Sequence, residues 1–193
     1  HGVKAGSVYR ITEQGSATRT DNRFDLAISG RGFLQITLPS GETAYTRAGN
    51  LALNDQGQLV TDDGYAVNPQ ITIPQDAVEV TISKSGQVQV SQQGQPAPTV
   101  VGTIELATFV NEAGLEALGD NLFLESGASG PATTGQPGSP GFGELLQGYT
   151  EASNVDAVSE ITALIVAQRA YEMNSKVINT ADEMLNVSTQ LKQ

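Results

Sequence analysis

Residues 153–193 place the strongest constraint on the fold of this chain. They contain no glycine or proline, and an apolar repeat runs through them. Leu164, Tyr171, Ile178 and Leu185 recur at intervals of seven residues. Since positions three and four apart share one face of a helix, the repeat predicts a long amphipathic helix over about residues 156–191. At about 1.5 Å per residue its length is on the order of 50 Å, which exceeds the usual helix of a globular domain.

The apolar face of this helix is the candidate assembly interface, and it is called the stripe below. Its members are Ile161, Leu164, Ile165, Tyr171, Val177, Ile178, Ala181, Met184 and Leu185. Two partners for the stripe are open at this point: the chain's own remaining domain, or a helix from elsewhere. A domain of ~150 residues is only about 30 Å across, so a helix of this length extends beyond it. The length therefore favours a partner helix, and the polar positions Gln168, Ser175 and Asp182 would set its register.

Composition argues against most kinds of chemical site. The chain has no cysteine, its only histidine is His1, and its net charge is −11. We therefore predict no catalytic residues, no metal and no cofactor, because thiolate chemistry is impossible and a histidine-based triad or zinc site is essentially excluded. The negative charge argues against nucleic acid as a partner. No stretch approaches 18 apolar residues, so the sequence predicts no membrane span.

Paired acidic residues are the remaining candidates for chemistry. Asp62-Asp63 and Asn54-Asp55 could be the carboxylates of a glycan-cleaving enzyme or ligands for calcium. Both pairs precede glycines between apolar runs, where turn formation is the simpler explanation. A glycan-binding or glycan-cleaving module nevertheless remains open as an alternative function, because the chain combines many strands with exposed carboxylates.

The sequence before the helix predicts a β domain. Apolar alternation begins at residues 24–29 and continues in ten or so short runs separated by glycine turns, of which Asp63-Gly64 is the strongest hairpin signal. The predicted fold class is mainly β: a compact, irregular β-sandwich or barrel-like domain of many short strands, followed by one long C-terminal α-helix. The predicted organisation is an extended lead-in over 1–23, a β domain over 24–150 and the helix over 151–193.

Four local features complete this prediction. A first strand is predicted at residues 7–11, one helical turn at 115–118 and the last clear strand at 121–125. The Gly/Pro-rich residues 126–143 are predicted to lack regular structure, because Pro131, Pro137 and Pro140 interrupt them.

The motifs of the tail and of the first strands resemble one family. Residues 146–156 read LQGYTEASNVD, residues 168–176 read QRAYEMNSK and residues 180–185 read TADEML. These runs resemble the C-terminal signature of the bacterial flagellar axial proteins, which form the rod and hook. Residues 25–34, DLAISGRGFL, are similar to the first core strands of that family, and residues 44–49 and 57–61 are similar to the segment that follows. The resemblance extends over nearly the whole chain.

This resemblance implies a structural, non-enzymatic role in a helical tube. The expected function is that of a distal-rod subunit, part of the drive shaft that crosses the periplasm in the flagellar basal body and transmits torque to the hook. The expected partners are other copies of the chain, other rod and hook proteins, and the surrounding basal-body rings. A proximal-rod or hook paralogue is an alternative within the family. The family pairs an N-terminal helix with the C-terminal one, and we expect that N-terminal segment to be missing from this sequence.

Overall fold

A computed structural model describes residues 14–95, 97–155 and 157–190. The chain divides into two compact units between Ala152 and Ser153. The first unit is built of short β-strands, and the second contains one α-helix of 34 residues, α1 (Ala157–Gln190). The prediction of a mainly β protein with one long C-terminal helix is therefore confirmed.

Sixteen strands occur in the described residues. They are β1 (Ala17–Arg19), β2 (Leu26–Ser29), β3 (Phe33–Thr37), β4 (Thr43–Thr46), β5 (Leu51–Leu53), β6 (Leu59–Thr61), β7 (Ala66–Asn68), β8 (Ala77–Ile82), β9 (Gln87–Gln92), β10 (Thr99–Thr103), β11 (Leu106–Thr108), β12 (Glu116–Gly119), β13 (Leu122–Leu124), β14 (Thr133–Gly135), β15 (Glu144–Gln147) and β16 (Tyr149–Glu151).

These strands form one large sheet and three small ones. The large sheet has the order β12-β13-β4-β3-β7-β6-β5, with β11 pairing both β3 and β14. A three-stranded sheet has the order β10-β9-β8, and β15 pairs β2 while β1 pairs β16. The predicted Asp63-Gly64 hairpin is confirmed: Gly64 has φ +84° between β6 and β7, and its N–H donates to the carbonyl of Thr61.

The main core lies between these sheets. Leu34 and Leu59 of the large sheet pack in one buried cluster with Val88 of the three-stranded sheet and with Leu26 and Leu145 of the β2–β15 pair. Each such fully buried side chain contributes roughly 1.5–3 kcal/mol relative to exposure. One continuous cluster therefore holds the three sheets together as layers.

A second, aromatic cluster contains residues of strands β3, β4 and β11 of the large sheet. Phe109 meets Tyr45 edge-on, with ring centroids 4.8 Å apart, and meets Phe33 at 5.9 Å. Edge-to-face rings attract through their quadrupoles in addition to burying area. Burial raises the pKa of Tyr45, because the phenolate loses hydration, and the negative charge of Glu125 raises it further. The tyrosine is therefore held in its neutral form within this cluster.

The local prediction for residues 115–118 was wrong. Residues 115–118 do not form a helical turn: a short 3-10 helix occupies Glu112–Gly114, and β12 follows it as a strand paired with β13. The turn between β12 and β13 contains Asp120 and Asn121, with φ +48° and +60°. Two successive positive φ values are characteristic of tight hairpin turns, and Asp and Asn tolerate them better than most residues.

The C-terminal part of the β domain contains more strands than expected. The region 126–143 includes β14, which pairs with β11 because the prolines at 131, 137 and 140 lie outside its three residues. Two further strands, β15 and β16, follow residues 121–125, so those residues are not the last strand. The strand predicted at residues 7–11 lies outside the described residues.

Candidate assembly interface

The helix α1 presents its side chains to solvent. Every side chain described at residues 158–177, 179–181 and 184 is exposed. On the stripe the exposed fraction is 59% for Leu164, 79% for Tyr171 and 69% for Met184. Burial of each large apolar side chain contributes roughly 1.5–3 kcal/mol of stabilisation. A continuous exposed row of such side chains therefore marks an interaction surface.

The structure places all nine predicted members of the stripe within α1. Ile161, Ile165 and Val177 are exposed together with the three residues above, and so is Ala181. Ile178 and Leu185 occupy helical positions, and their side chains lie outside the described residues. At 3.6 residues per turn this set covers a broad sector of the helix surface, because a seven-residue row drifts by about 20° per heptad on a straight helix.

The apolar surface of α1 is wider than the stripe. Val158, Val166 and Met173 are also exposed, at 73%, 61% and 67%. Val166 lines a shallow groove of about 570 Å³ together with Ala163 and other small side chains. Sequence reasoning missed these three residues, although Met173 lies one turn before the stripe member Val177 and so shares a face with it. A helix with apolar side chains on more than one side is suited to contact neighbours on more than one side.

Two threonine hydroxyl groups on α1 are satisfied within the helix itself. Thr162 donates its Oγ1 hydrogen to the carbonyl of Val158 at 2.7 Å, and Thr180 donates to the carbonyl of Lys176 at 2.9 Å. Threonines that bond back to the preceding turn in this way need no polar partner from outside. Burial of this part of the helix surface is therefore not opposed by these hydroxyl groups.

The first and last strands described in the β domain lie side by side. Strands β1 and β16 are antiparallel, with Ala17 opposite Glu151, and the N–H of Ala152 donates to the carbonyl of Ser16 at 2.8 Å. Gly148, with φ +77°, separates β15 from β16 and so lets the chain change its partner from β2 to β1. The first and last described strands of this domain thus lie together.

Arg47 holds the residues next to the β1–β16 pair in position. The guanidinium of Arg47 donates to Glu151 Oε2 from Nε at 3.0 Å and from Nη2 at 2.9 Å, and to the carbonyl oxygens of Gly32 at 3.0 Å and Gly30 at 3.1 Å. The other carboxylate oxygen, Glu151 Oε1, accepts the N–H of Gly15 at 2.9 Å. Both side chains are mostly buried, so the charges are only weakly screened by water. The pair ties β16 to the loops around β2 and to the residues before β1.

We expect Arg47→Lys to destabilise the β domain by about 2–3 kcal/mol, because an ammonium group cannot replace a planar fork that reaches a carboxylate and several carbonyls. The measurement is the urea midpoint followed by circular dichroism. The matched control is Arg19→Lys, whose arginine pairs with Asp21 at 2.5 Å but is 70% exposed, so its loss is expected to cost at most about 0.5 kcal/mol. Equal midpoints for the two variants would contradict this account of Arg47.

The acidic candidates form turns. Asn54 Oδ1 accepts the backbone N–H groups of Gln56 at 3.0 Å and Gln58 at 2.9 Å, which closes the turn between β5 and β6. Asp62 and Asp63 belong to the β6–β7 hairpin. Among the described residues, no group of acidic or histidine side chains is arranged to hold a metal ion. Within the same residues, no helix has the length and apolar character that crossing a membrane requires.

Comparison with known sequence families identifies the class of protein. Residues 27–90 match the family described as flagellar hook protein FlgE/F/G D1 domain. Residues 146–191 match the flagellar basal body rod FlgEFG protein C-terminal family. The first match falls on the β domain, and the second begins within β15 and extends beyond the end of α1. A β domain joined to this helix defines a flagellar axial protein.

Individual relatives show to which family of axial proteins the chain belongs. The flagellar basal-body rod protein FlgG of Caulobacter vibrioides is 72% identical over 191 residues, covering 99% of this chain and 73% of the relative. FlgG of Borreliella burgdorferi is 45% identical over 195 residues, covering 100% of this chain and 74% of the relative. The flagellar hook protein FlgE of Salmonella typhimurium is 37% identical, and only 38% of its length is covered. The chain therefore belongs to the FlgG family of flagellar basal-body rod proteins.

Membership in this family gives the protein a role and a location. It is a structural subunit of the flagellar rod in the basal body, and the family assembles with other axial proteins. The expectation of a rod protein is confirmed. The hook protein is a more distant paralogue, as its lower identity and coverage show.

Proposed function

We propose that α1 is the assembly helix of a distal-rod subunit. Its stripe packs against helices of neighbouring copies and of other axial proteins, and together these helices form the inner layer of the rod. The observation that carries this proposal is the exposure of the stripe along α1, with Leu164 at 59% and Tyr171 at 79%. Such a surface is stabilised only when other apolar side chains cover it and remove it from water.

Two further features support a helix with neighbours on several sides. Val158, Val166 and Met173 widen the apolar surface of α1 beyond the stripe, so that more than one side of the helix can make contacts. The β1–β16 pair brings the first and last described strands of the β domain together. This arrangement suits the pairing of an N-terminal with a C-terminal helix that the family resemblance implies. It also leaves the β domain as a separately folded unit outside the helical layer.

The mechanism we propose is mechanical, with no catalytic step. Each subunit contributes several apolar side chains worth roughly 1.5–3 kcal/mol each, and every subunit of the polymer repeats them. Resistance to torsion is then distributed over many weak contacts. The Arg47–Glu151 pair carries load between β16 and the body of the β domain. The outer surface of the β domain is the part available to the surrounding basal-body rings.

The test of this function is the assembly of rods from subunits that carry a charge on the stripe. With the full-length protein produced in bacteria that lack their own copy, the proposal requires that rods fail to form while the β domain remains folded. Rods of normal length from such subunits would contradict it.

A further inference from the structure

One polar side chain connects two sheets that do not share a ladder. Strand β15 pairs with β2 along one edge, from Glu144 to Gln147. At its other edge the N–H of Leu145 donates to the carbonyl of Lys84, in the turn after β8, at 3.1 Å. Two residues further along β15, the side chain of Gln147 continues this connection to β8.

Gln147 makes three hydrogen bonds through its amide group. Its Oε1 accepts the N–H of Ile82 at 2.9 Å, and its Nε2 donates to the carbonyl oxygen of Val80 at 2.9 Å. The same Nε2 donates its other hydrogen to the carbonyl oxygen of Arg23 at 2.7 Å. The Oε1 acceptor and one Nε2 hydrogen thus bond to β8 as the peptide group of a neighbouring strand would. The other Nε2 hydrogen bonds to the segment before β2.

The backbone groups that Gln147 satisfies are part of the core layer. Val80 and Ile82 are each only 5% exposed, and they belong to the cluster that packs the three-stranded sheet onto the rest of the domain. An open groove of about 630 Å³, lined by Val80, Gln147 and Tyr149 among others, runs beside these bonds. Without the amide, that groove gives water access to the edge of β8.

We propose that Gln147 is a positioning residue that fastens the three-stranded sheet β8–β9–β10 to the strand leading toward α1. It directly precedes Gly148, where the chain turns into β16, the last strand before the helix. The sheet and this last strand are thereby held as one body. If the protein transmits torque in the rod, this connection makes the three-stranded sheet follow the rod, and that consequence rests on the proposed function. The fastening itself does not.

Hydrogen exchange of backbone amides in the folded chain tests this proposal. In Gln147→Ala we expect the amides of Ile82, Thr81 and Gln89 to exchange roughly 10- to 100-fold faster, because Ile82 loses its acceptor and local opening between β8 and β9 becomes easier. Amides of β3, β4 and β6 are expected to keep their rates. The control is Gln92→Ala, which removes an exposed amide of the same sheet that bonds to Asp76, and which is expected to change none of these rates.

A second variant separates hydrogen bonding from shape. Gln147→Glu has nearly the same size, but it replaces the donor that faces the carbonyl oxygens of Val80 and Arg23 with an acceptor. We expect its exchange to accelerate at least as much as in Gln147→Ala. Unchanged rates in β8 and β9 for either Gln147 variant would overturn the proposal, and so would equal acceleration throughout the domain. Because these rates are measured on the separate chain, failure of rod assembly in stripe variants would leave the result intact.

Discussion

Replacing Gly49 with alanine is expected to destabilise the β domain by about 3 kcal/mol or more, a large part of the stability of a domain of this size. A Cβ at this position would collide with the carbonyl oxygen of Leu26 and would lie 2.7 Å from its carbonyl carbon. Leu26 is fully buried in β2, and its own N–H donates to the carbonyl of Gly49 at 2.9 Å. Since the obstacle is backbone in the middle of the core, side-chain rearrangement cannot relieve the clash.

The measurement is thermal and urea unfolding of the β domain, in which Gly49→Ala should lower the melting temperature by roughly 10 °C. The matched control is Gly127→Ala. A Cβ added at Gly127 meets nothing within 4 Å, so we expect its stability to stay within about 0.5 kcal/mol of the parent. If both variants were equally stable, the close approach of Gly49 to Leu26 would be refuted.

The second large effect is expected from charges placed on the stripe, which should prevent assembly of the rod and leave folding of the β domain unchanged. Leu164→Asp and Tyr171→Asp, made in the full-length protein, should abolish rod formation and swimming. Each substitution would bury a carboxylate without a partner between helices, which costs several kcal/mol at every subunit contact. Electron microscopy of isolated basal bodies measures the presence and length of the rod. Circular dichroism of the same variants should show an unchanged β domain.

Lys176→Asp is the control for this experiment. It introduces the same side chain into the polar sector of the helix that holds Arg169 and Glu172, outside the stripe. Its expected cost is a few tenths of a kcal/mol, from repulsion between Asp and Glu172 one turn away. Rods should therefore form. Normal rods from both stripe variants, or equal loss in all three proteins, would be incompatible with a specific role for the stripe.

The helix could be predicted from sequence because its signal is local and long. The absence of glycine and proline and the seven-residue repeat of Leu164, Tyr171, Ile178 and Leu185 fix one periodicity over many turns. The Asp63-Gly64 hairpin could be predicted for a similar reason, since glycine supplies the positive φ that the turn needs. The family resemblance also rests on local motifs.

The contacts that hold the β domain together could not be predicted in this way. Arg47 and Glu151 are 104 residues apart, and the pairing of β1 with β16 joins strands of three residues each. Such short strands carry too little pattern to specify a distant partner or its register. The three bonds of Gln147 likewise depend on how two sheets approach each other, which no local sequence signal reports.

The strand β2 shows a further limit of periodicity. The alternation through residues 24–29 places Asp25, just before β2, and Ala27 on the outer face, but the structure buries both, with 5% and 1% of their surfaces exposed. Asp25 is buried at low cost because its carboxylate accepts hydrogen bonds from Thr20 at 2.6 Å and Asn22 at 2.9 Å. Tertiary packing on both sides of β2 overrides the half-buried pattern of its sequence.

The most direct test of the central claim is thiol labelling of the stripe in free and assembled protein. The chain has no cysteine, so Leu164→Cys in the full-length protein introduces one small apolar thiol that should not block assembly. We expect rapid reaction with a soluble maleimide in the free chain, where Leu164 is exposed. In isolated rods we expect a rate at least about 100-fold lower, since opening of a buried contact costs ~3 kcal/mol or more. Equal labelling rates in the two states would show that the stripe faces solvent in the rod, and the proposed assembly mechanism would be wrong.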